Sequence, residues 1–219
     1  MPNNIYTIII IALVILIIRT RKLGIVFRSI NTLIHEFSHA IIAILTGGSV
    51  LNIKLNENAS GECVSKSKTK TKQFFVSLAG YPLSALFSYF LFYSIGKGWQ
   101  EYIFYFFIVI SIVTLIFWIR NTYGTIWILC FLVLNLCIVF IPSFINIIGN
   151  YVLILFGVII AIDNLLGCFT LLYISITNHK KAGDATNLRK LTHIPAFFWA
   201  LFFTLFSLYL IYLSYFILF

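Results

Sequence analysis

The chain has 219 residues, of which 61% are hydrophobic and 10% are charged, and its formal net charge is +9. Soluble domains carry about 25% charged residues, so this composition and a mean hydropathy of +1.04 exclude a water-soluble globule and require a lipid bilayer around much of the surface. The apolar runs are long and continuous rather than short and alternating, which excludes a transmembrane β-barrel. We therefore predict an all-α polytopic membrane protein.

The excess of basic residues indicates contact with the anionic headgroups of the lipid bilayer. These residues flank apolar runs, and no DNA-binding motif surrounds them, so no nucleic acid is expected as a partner.

About seven apolar segments follow one another, each compared with the roughly 20 residues that a helix needs to cross a bilayer. No repeat and no linker divides the chain, so residues 1–219 are expected to form a single domain. The sixth segment is long for one span and is expected to be tilted, kinked or partly interfacial. The predicted segments are 5–18, 24–46, 74–95, 102–119, 124–141, 149–177 and 195–219.

A polar stretch at 47–73 separates the second and third segments. In "VLNIKLN", Leu51, Ile53 and Leu55 alternate with polar residues, a period of two that is typical of a strand. "ENASG" favours a turn, and "ECVS" favours a returning strand. We expect a small β-hairpin between helices 2 and 3.

A second polar stretch, at 177–195, has the features of a short helix. Asp184 is placed to cap the N-terminus of a helix that continues through Leu191. Pro195 then marks the start of the last segment.

The predicted helix 24–46 carries the motif His35-Glu36-Phe37-Ser38-His39. Residues four apart lie on one face of a helix, so both imidazoles can bind one zinc ion, and Glu36 can reach a water molecule beside it. Each charged residue placed in a spanning helix costs about 2.5–3.5 kcal/mol, which favours a functional role. The alternative is a polar cluster that joins helices through hydrogen bonds.

Several stretches carry a resemblance to a known family. "NTLIHEFSHAIIAILTGGSVLNIKLNENASGE" at 31–62, "SLAGYPLSALF" at 77–87, "WIRN" at 118–121 and "GDATNLRKLT" at 183–192 resemble the site-2 protease family of intramembrane zinc metallopeptidases. The similarity is greatest to its compact bacterial and fungal branch, which lacks a PDZ domain. The resemblance implies zinc-dependent hydrolysis of peptide bonds within the membrane, with the active site near the cytosolic side.

The third zinc ligand does not follow from the motif. Better-known members of the family carry an Asn-Pro…Leu-Asp-Gly stretch whose aspartate is this ligand, and no such stretch exists here. Of the six acidic residues, two are suitable. Asp163 lies deep in an apolar run, where an unpaired carboxylate is costly, and it is the expected ligand. Asp184 is the alternative, because capping a helix already accounts for it.

The sequence thus predicts an intramembrane zinc metalloprotease that cleaves membrane-embedded protein substrates in regulated intramembrane proteolysis. The residues expected to carry out this reaction are Glu36 as the catalytic base and His35, His39 and Asp163 as metal ligands. The alternatives are a zinc-dependent membrane hydrolase of a non-peptide substrate, or a non-enzymatic scaffold or transporter. The sequence identifies no substrate-binding residue.

Basic residues are more frequent in loops after even-numbered spans than in loops after odd-numbered ones. The positive-inside rule then places the hairpin loop and the 178–193 loop in the cytoplasm. The expected location is a multi-pass position in the bacterial plasma membrane.

Overall fold

Eight helices and one β-hairpin make up the described residues, 4–20 and 22–219, of the computed structural model. Arg21, one of the basic residues expected in the first loop, lies outside them. In chain order the elements are α1 (Asn4–Ile18), α2 (Leu23–Leu45), β1 (Ser49–Leu55), β2 (Gly61–Lys66), α3 (Lys70–Gly96), α4 (Gln100–Val113) with a π-helical turn (Thr114–Trp118), α5 (Thr122–Phe140), α6 (Pro142–Thr177), α7 (Gly183–Thr192) and α8 (Ala196–Leu218).

The helical membrane fold with one hairpin is confirmed, but the count of seven spans is not. Within the described residues, five helices are long and apolar enough to cross a membrane: α3, α4 with its π-helical turn, α5, α6 and α8. Helix α1 is apolar but has only 15 residues. Helix α2 has 23 residues and is not among the five; it is the helix that carries the polar motif.

The hairpin forms where the period-two pattern predicts it. Strands β1 and β2 are antiparallel, with Ile53 opposite Cys63 and Leu55 opposite Gly61. Ile53 and Leu55 are fully buried, which places the apolar side of β1 in the core. The turn closes with the Asn56 N–H donating to the Ser60 carbonyl at 2.9 Å.

The outer edge of β1 is already paired with the segment that follows the π-helical turn. Ile119 forms a parallel bridge with Ile53. The side-chain amide of Asn121 donates to the Leu55 carbonyl at 2.5 Å and accepts from the Leu55 N–H at 3.3 Å. Asn121 therefore occupies the hydrogen-bonding positions of a neighbouring strand, and β1 has no free edge there.

Helix α7 packs against one end of the bundle. Ala185 and Leu188 of this helix, and Ala182 just before it, are fully buried in a cluster with α6 and α8. Phe74 and Leu78, near the start of α3, pack against the same cluster. The end of the bundle where the hairpin leads into α3 is therefore also the end where α7 lies.

A buried ion pair joins α2 to α6. The Arg28 Nε donates to Asp163 Oδ1 at 2.5 Å, and Asn31 Nδ2 donates to Asp163 Oδ2 at 2.9 Å. The Asp163 side chain is only 6% exposed, whereas that of Arg28 is 37% exposed. The carboxylate expected to need a partner deep in an apolar run thus has two, and both come from α2.

This pair predicts the effect of removing the carboxylate. Asp163→Ala should lower the midpoint of thermal unfolding in detergent micelles, because Arg28 loses its partner. Breaking a fully buried pair costs about 3–5 kcal/mol, and partial exposure of Arg28 should make the cost smaller. Lys54→Ala, which breaks the exposed Lys54–Glu62 pair at 3.2 Å, should change the free energy of unfolding by only about 0–1 kcal/mol. Equal effects of the two substitutions would contradict a structural role for Asp163.

Candidate metal centre and its cavity

The two motif histidines meet on one face of α2. The Nε2 atoms of His35 and His39 are 3.1 Å apart. His39 is buried, and its Nδ1 lies 2.6 Å from the Val76 carbonyl of α3. Because a carbonyl oxygen only accepts, His39 donates from Nδ1, and Nε2 is the nitrogen that can bind a metal ion once it gives up its proton.

Asp184 completes a group of three ligand atoms. Its Oδ2 is 3.3 Å from His35 Nε2 and 3.2 Å from His39 Nε2. Within the described residues, this is the group of histidine, cysteine and acidic side chains close enough to hold a metal ion. Nitrogen and oxygen ligands about 2.0–2.1 Å from a tetrahedral zinc lie about 3.3 Å from one another, so the three spacings fit zinc.

The loop after α6 brings Asp184 to the histidines. Gly183, with a φ of +38°, begins α7, and Asp184 is its second residue. The residue before the helix is Ala182, and no side chain caps this end, so the expected capping role of Asp184 is wrong. The carboxylate instead points across to α2.

The histidines also set the charge state of Asp184. Burial raises the pKa of its carboxyl, but the positive charge of His39 and hydrogen bonds from both histidines outweigh burial and hold that pKa below its usual value. The carboxylate is therefore ionised, as a metal ligand must be.

Asp163, the expected third ligand, is not part of this group. Its two oxygens bind Arg28 and Asn31, so its charge is already compensated one to two helical turns before His35 on α2. The geometry brings together the alternative residue, Asp184, with His35 and His39. The reasoning that a buried carboxylate needs a partner holds, but the partner of Asp163 is an arginine.

Glu36 is 6% exposed and lies next to the hairpin. A Cβ added to Gly61, the first residue of β2, would overlap both the Glu36 carboxylate and the Thr32 methyl group. Thr32 also donates to the Ala59 carbonyl at 2.9 Å. The hairpin turn is therefore fixed directly against the motif helix, and Gly61 is required for its close approach.

Gly80 of α3 has the same role on the other side of the motif. A Cβ there would lie 2.5 Å from His35 Nε2 and 2.6 Å from His39 Nε2. Only a residue without a side chain lets α3 approach the ligand atoms this closely. The sequence motif "LAGYP" contained this glycine, but its role was not recognised there.

Tyr81 is a second residue that sequence reasoning missed. Its ring meets the His35 ring edge-on, with centroids 4.6 Å apart, and stacks on Phe203 of α8. These contacts restrict the orientation of the His35 imidazole. Its position directly after Gly80 was the only available signal.

A cavity of about 930 Å³ is lined by His35, Glu36 and His39 of the motif. One wall is β2 from Gly61 to Ser65, and another is the α2 face that includes Arg28 and Asn31. Cys63 also lines the cavity, where burial raises the pKa of its thiol to about 12, and its sulfur is not part of the group that could hold a metal ion.

Most of the chain matches a known protein family. A family model described as Peptidase M50B-like matches residues 7–214. No curated protein and no solved structure gives a significant match. The narrower similarity to the compact branch without a PDZ domain stays a prediction. Because the match extends over nearly the whole chain, the protein belongs to the Peptidase M50B-like family and thus to the site-2 proteases.

Proposed function

We propose that this protein is an intramembrane zinc metalloprotease that hydrolyses peptide bonds of membrane-embedded proteins in regulated intramembrane proteolysis. The observation that carries the proposal is the convergence of His35, His39 and Asp184 beside Glu36. These groups line one cavity in a protein rich in membrane-spanning helices. The observed spacing and the family membership both support it.

His35 Nε2, His39 Nε2 and Asp184 Oδ2 would hold the zinc ion. When bound, zinc supplies a Lewis acid for the scissile carbonyl and lowers the pKa of a water molecule. The chain's own contribution is to keep the donor atoms in place. The Val76 carbonyl fixes the His39 ring, Tyr81 packs on the His35 ring, and α7 positions Asp184.

Glu36 is the residue that moves the proton. Its carboxylate takes a proton from the attacking water and later delivers it to the amine nitrogen that leaves. Burial against Gly61 and Thr32 excludes bulk water from one side of the carboxylate. The proton is therefore exchanged within the cavity.

The hairpin offers a binding edge for the substrate. Asn121 and Ile119 occupy the outer edge of β1, whereas β2 lines the cavity. An unwound peptide in lipid needs partners for its backbone groups. Pairing with β2 as an added strand would supply them and would place the peptide along the metal site.

The proposed orientation is the one that the basic residues favour, with the hairpin and α7 in the cytoplasm of a bacterial cell. The packing of α7 near the start of α3 supports placing these two loops on the same side of the membrane.

The first prediction from this proposed function concerns Glu36 as the general base. Glu36→Gln should retain zinc, because the three donor atoms are unchanged, while hydrolysis of a membrane-embedded substrate falls by about 10²–10⁴-fold. Metal analysis and a cleavage assay of the purified protein measure both effects. Glu101→Gln, at an exposed carboxylate of α4 that does not line the cavity, is the control and should keep its activity. Full turnover by Glu36→Gln would exclude the mechanism.

The second prediction decides between the two aspartates. Asp184→Ala should lose zinc and activity together, because a catalytic site needs about three protein ligands. Asp163→Ala should bind zinc at the same stoichiometry as the wild type, once size-exclusion chromatography has removed the unfolded protein. Metal content per folded protein is the measurement. Zinc lost from Asp163→Ala and retained by Asp184→Ala would restore the assignment made from sequence. A wild type without zinc would favour the scaffold or transporter alternative.

The third prediction concerns orientation. In a background without Cys63, Cys130, Cys137 and Cys168, Lys68→Cys should react with a membrane-impermeant thiol reagent only after the cells are opened. Lys97→Cys, in the loop between α3 and α4, is the matched control and should react in intact cells. The opposite labelling of the two sites would invert the proposed topology.

A further inference from the structure

Arg28 has donor groups that its ion pair does not use. Only its Nε is bonded to Asp163, and within residues 4–20 and 22–219 neither Nη1 nor Nη2 has a hydrogen-bond partner. The side chain is 37% exposed and lines the cavity that contains His35. The ion pair thus holds the guanidinium in place and leaves its terminal N–H groups available.

Asn31 provides an acceptor at the same site. Its Nδ2 donates to Asp163, and since a carboxylate only accepts, this bond fixes which way the amide points. The remaining atom, Oδ1, is buried and has no hydrogen-bond partner in the described part of the chain. An unpaired buried acceptor costs about 1–3 kcal/mol. A ligand that donates an N–H group would remove this cost.

The charge at this site indicates a neutral ligand. Asp163 already compensates the charge of Arg28, so a second carboxylate would be placed close to Asp163 in a medium of low dielectric constant. A peptide group is neutral and has one acceptor and one donor. These match the free N–H groups of Arg28 and the free oxygen of Asn31.

We propose that Arg28 and Asn31 form a substrate subsite that binds an amide group, and that Asp163 positions both side chains. This inference rests on the proposed function, because it assigns the subsite to a peptide substrate. The ligand is a backbone amide of the unwound chain or the carboxamide of an Asn or Gln side chain.

The subsite lies at a defined distance from the metal ligands. Arg28 and Asn31 are seven and four residues before His35 on the same face of α2, or about 10 and 6 Å along the helix axis. An extended peptide rises about 3.3 Å per residue. The bound amide is therefore two or three residues from the scissile bond.

Peptide binding to the zinc-loaded Glu36→Gln protein tests the subsite without hydrolysis. The probes are two fluorescent twelve-residue peptides in detergent micelles, one containing only Ala and Leu and one with Gln at alternate Leu positions. Arg28→Lys keeps the charge next to Asp163 but lacks the planar fork, and Asn31→Ala removes the acceptor. Arg189→Lys, at an arginine of α7 that does not line the cavity, is the matched control. Zinc content and the thermal midpoint of every variant establish that it is folded.

Arg28→Lys should weaken binding of the Ala/Leu peptide about tenfold or more, the effect of losing a hydrogen bond to a charged group, and Asn31→Ala should weaken it as well. The double variant should weaken binding by less than the product of the two single fold-changes, because both side chains bind the same amide group. If only the Gln peptide responds, the ligand is a side-chain carboxamide rather than the backbone. Three results would overturn the proposal. Both peptides could bind the Arg28 and Asn31 variants as before, Arg189→Lys could lose as much affinity as Arg28→Lys, or neither peptide could bind the Glu36→Gln protein.

A second variant covers the case in which Arg28→Lys does not fold. Arg28→Gln combined with Asp163→Asn leaves no unpaired buried charge, and it should bind zinc but lose peptide affinity. Hydrolysis of the same peptides by the wild type separates the two proposals. Uncut peptides whose dissociation constant depends on Arg28 would refute the protease and retain the subsite. Cleaved peptides whose binding does not depend on Arg28 would refute the subsite and retain the protease.

Discussion

Lipid offers no hydrogen-bond partner, so the two histidines and Arg28 on the motif face of α2 depend on neighbouring elements for their partners. Helix α3 supplies the Val76 carbonyl to His39, α7 supplies Asp184 to both histidines, and α6 supplies Asp163 to Arg28. Each of these contacts also fixes the position of the helix that provides it. The arrangement of the bundle around α2 is therefore largely the arrangement that satisfies this one face.

The two aspartates have different environments because they face different ends of the same polar surface. Asp184 lies across the histidine pair, where a metal ion could compensate its charge, whereas Asp163 is compensated by Arg28. Asp163 and its arginine thus line the same cavity as the histidines without joining the group that could hold a metal ion.

The sequence predicted the helices and the hairpin, and two of the three residues that come together in the candidate metal group. The period-two pattern around Ile53 gave the hairpin, and the spacing of His35 and His39 placed both Nε2 atoms on one side of α2. These predictions succeeded because each depends on the local geometry of a single element. The number of spans was not confirmed, because the length and polarity of α1 and α2 depart from those of an average membrane helix.

The third member of the metal group was harder to predict because it depends on tertiary packing. Depth along α6 suggested Asp163, but no local pattern shows that α7 packs back on α3 and α8 through Ala185 and Leu188. The glycines carry only part of this information. Gly80 lets α3 lie against the Nε2 atoms of His35 and His39, so a glycine at this position indicates that a second helix closes over the histidine pair. Which carboxylate then reaches the same two nitrogen atoms depends on the loop after α6, which brings α7 and Asp184 to them.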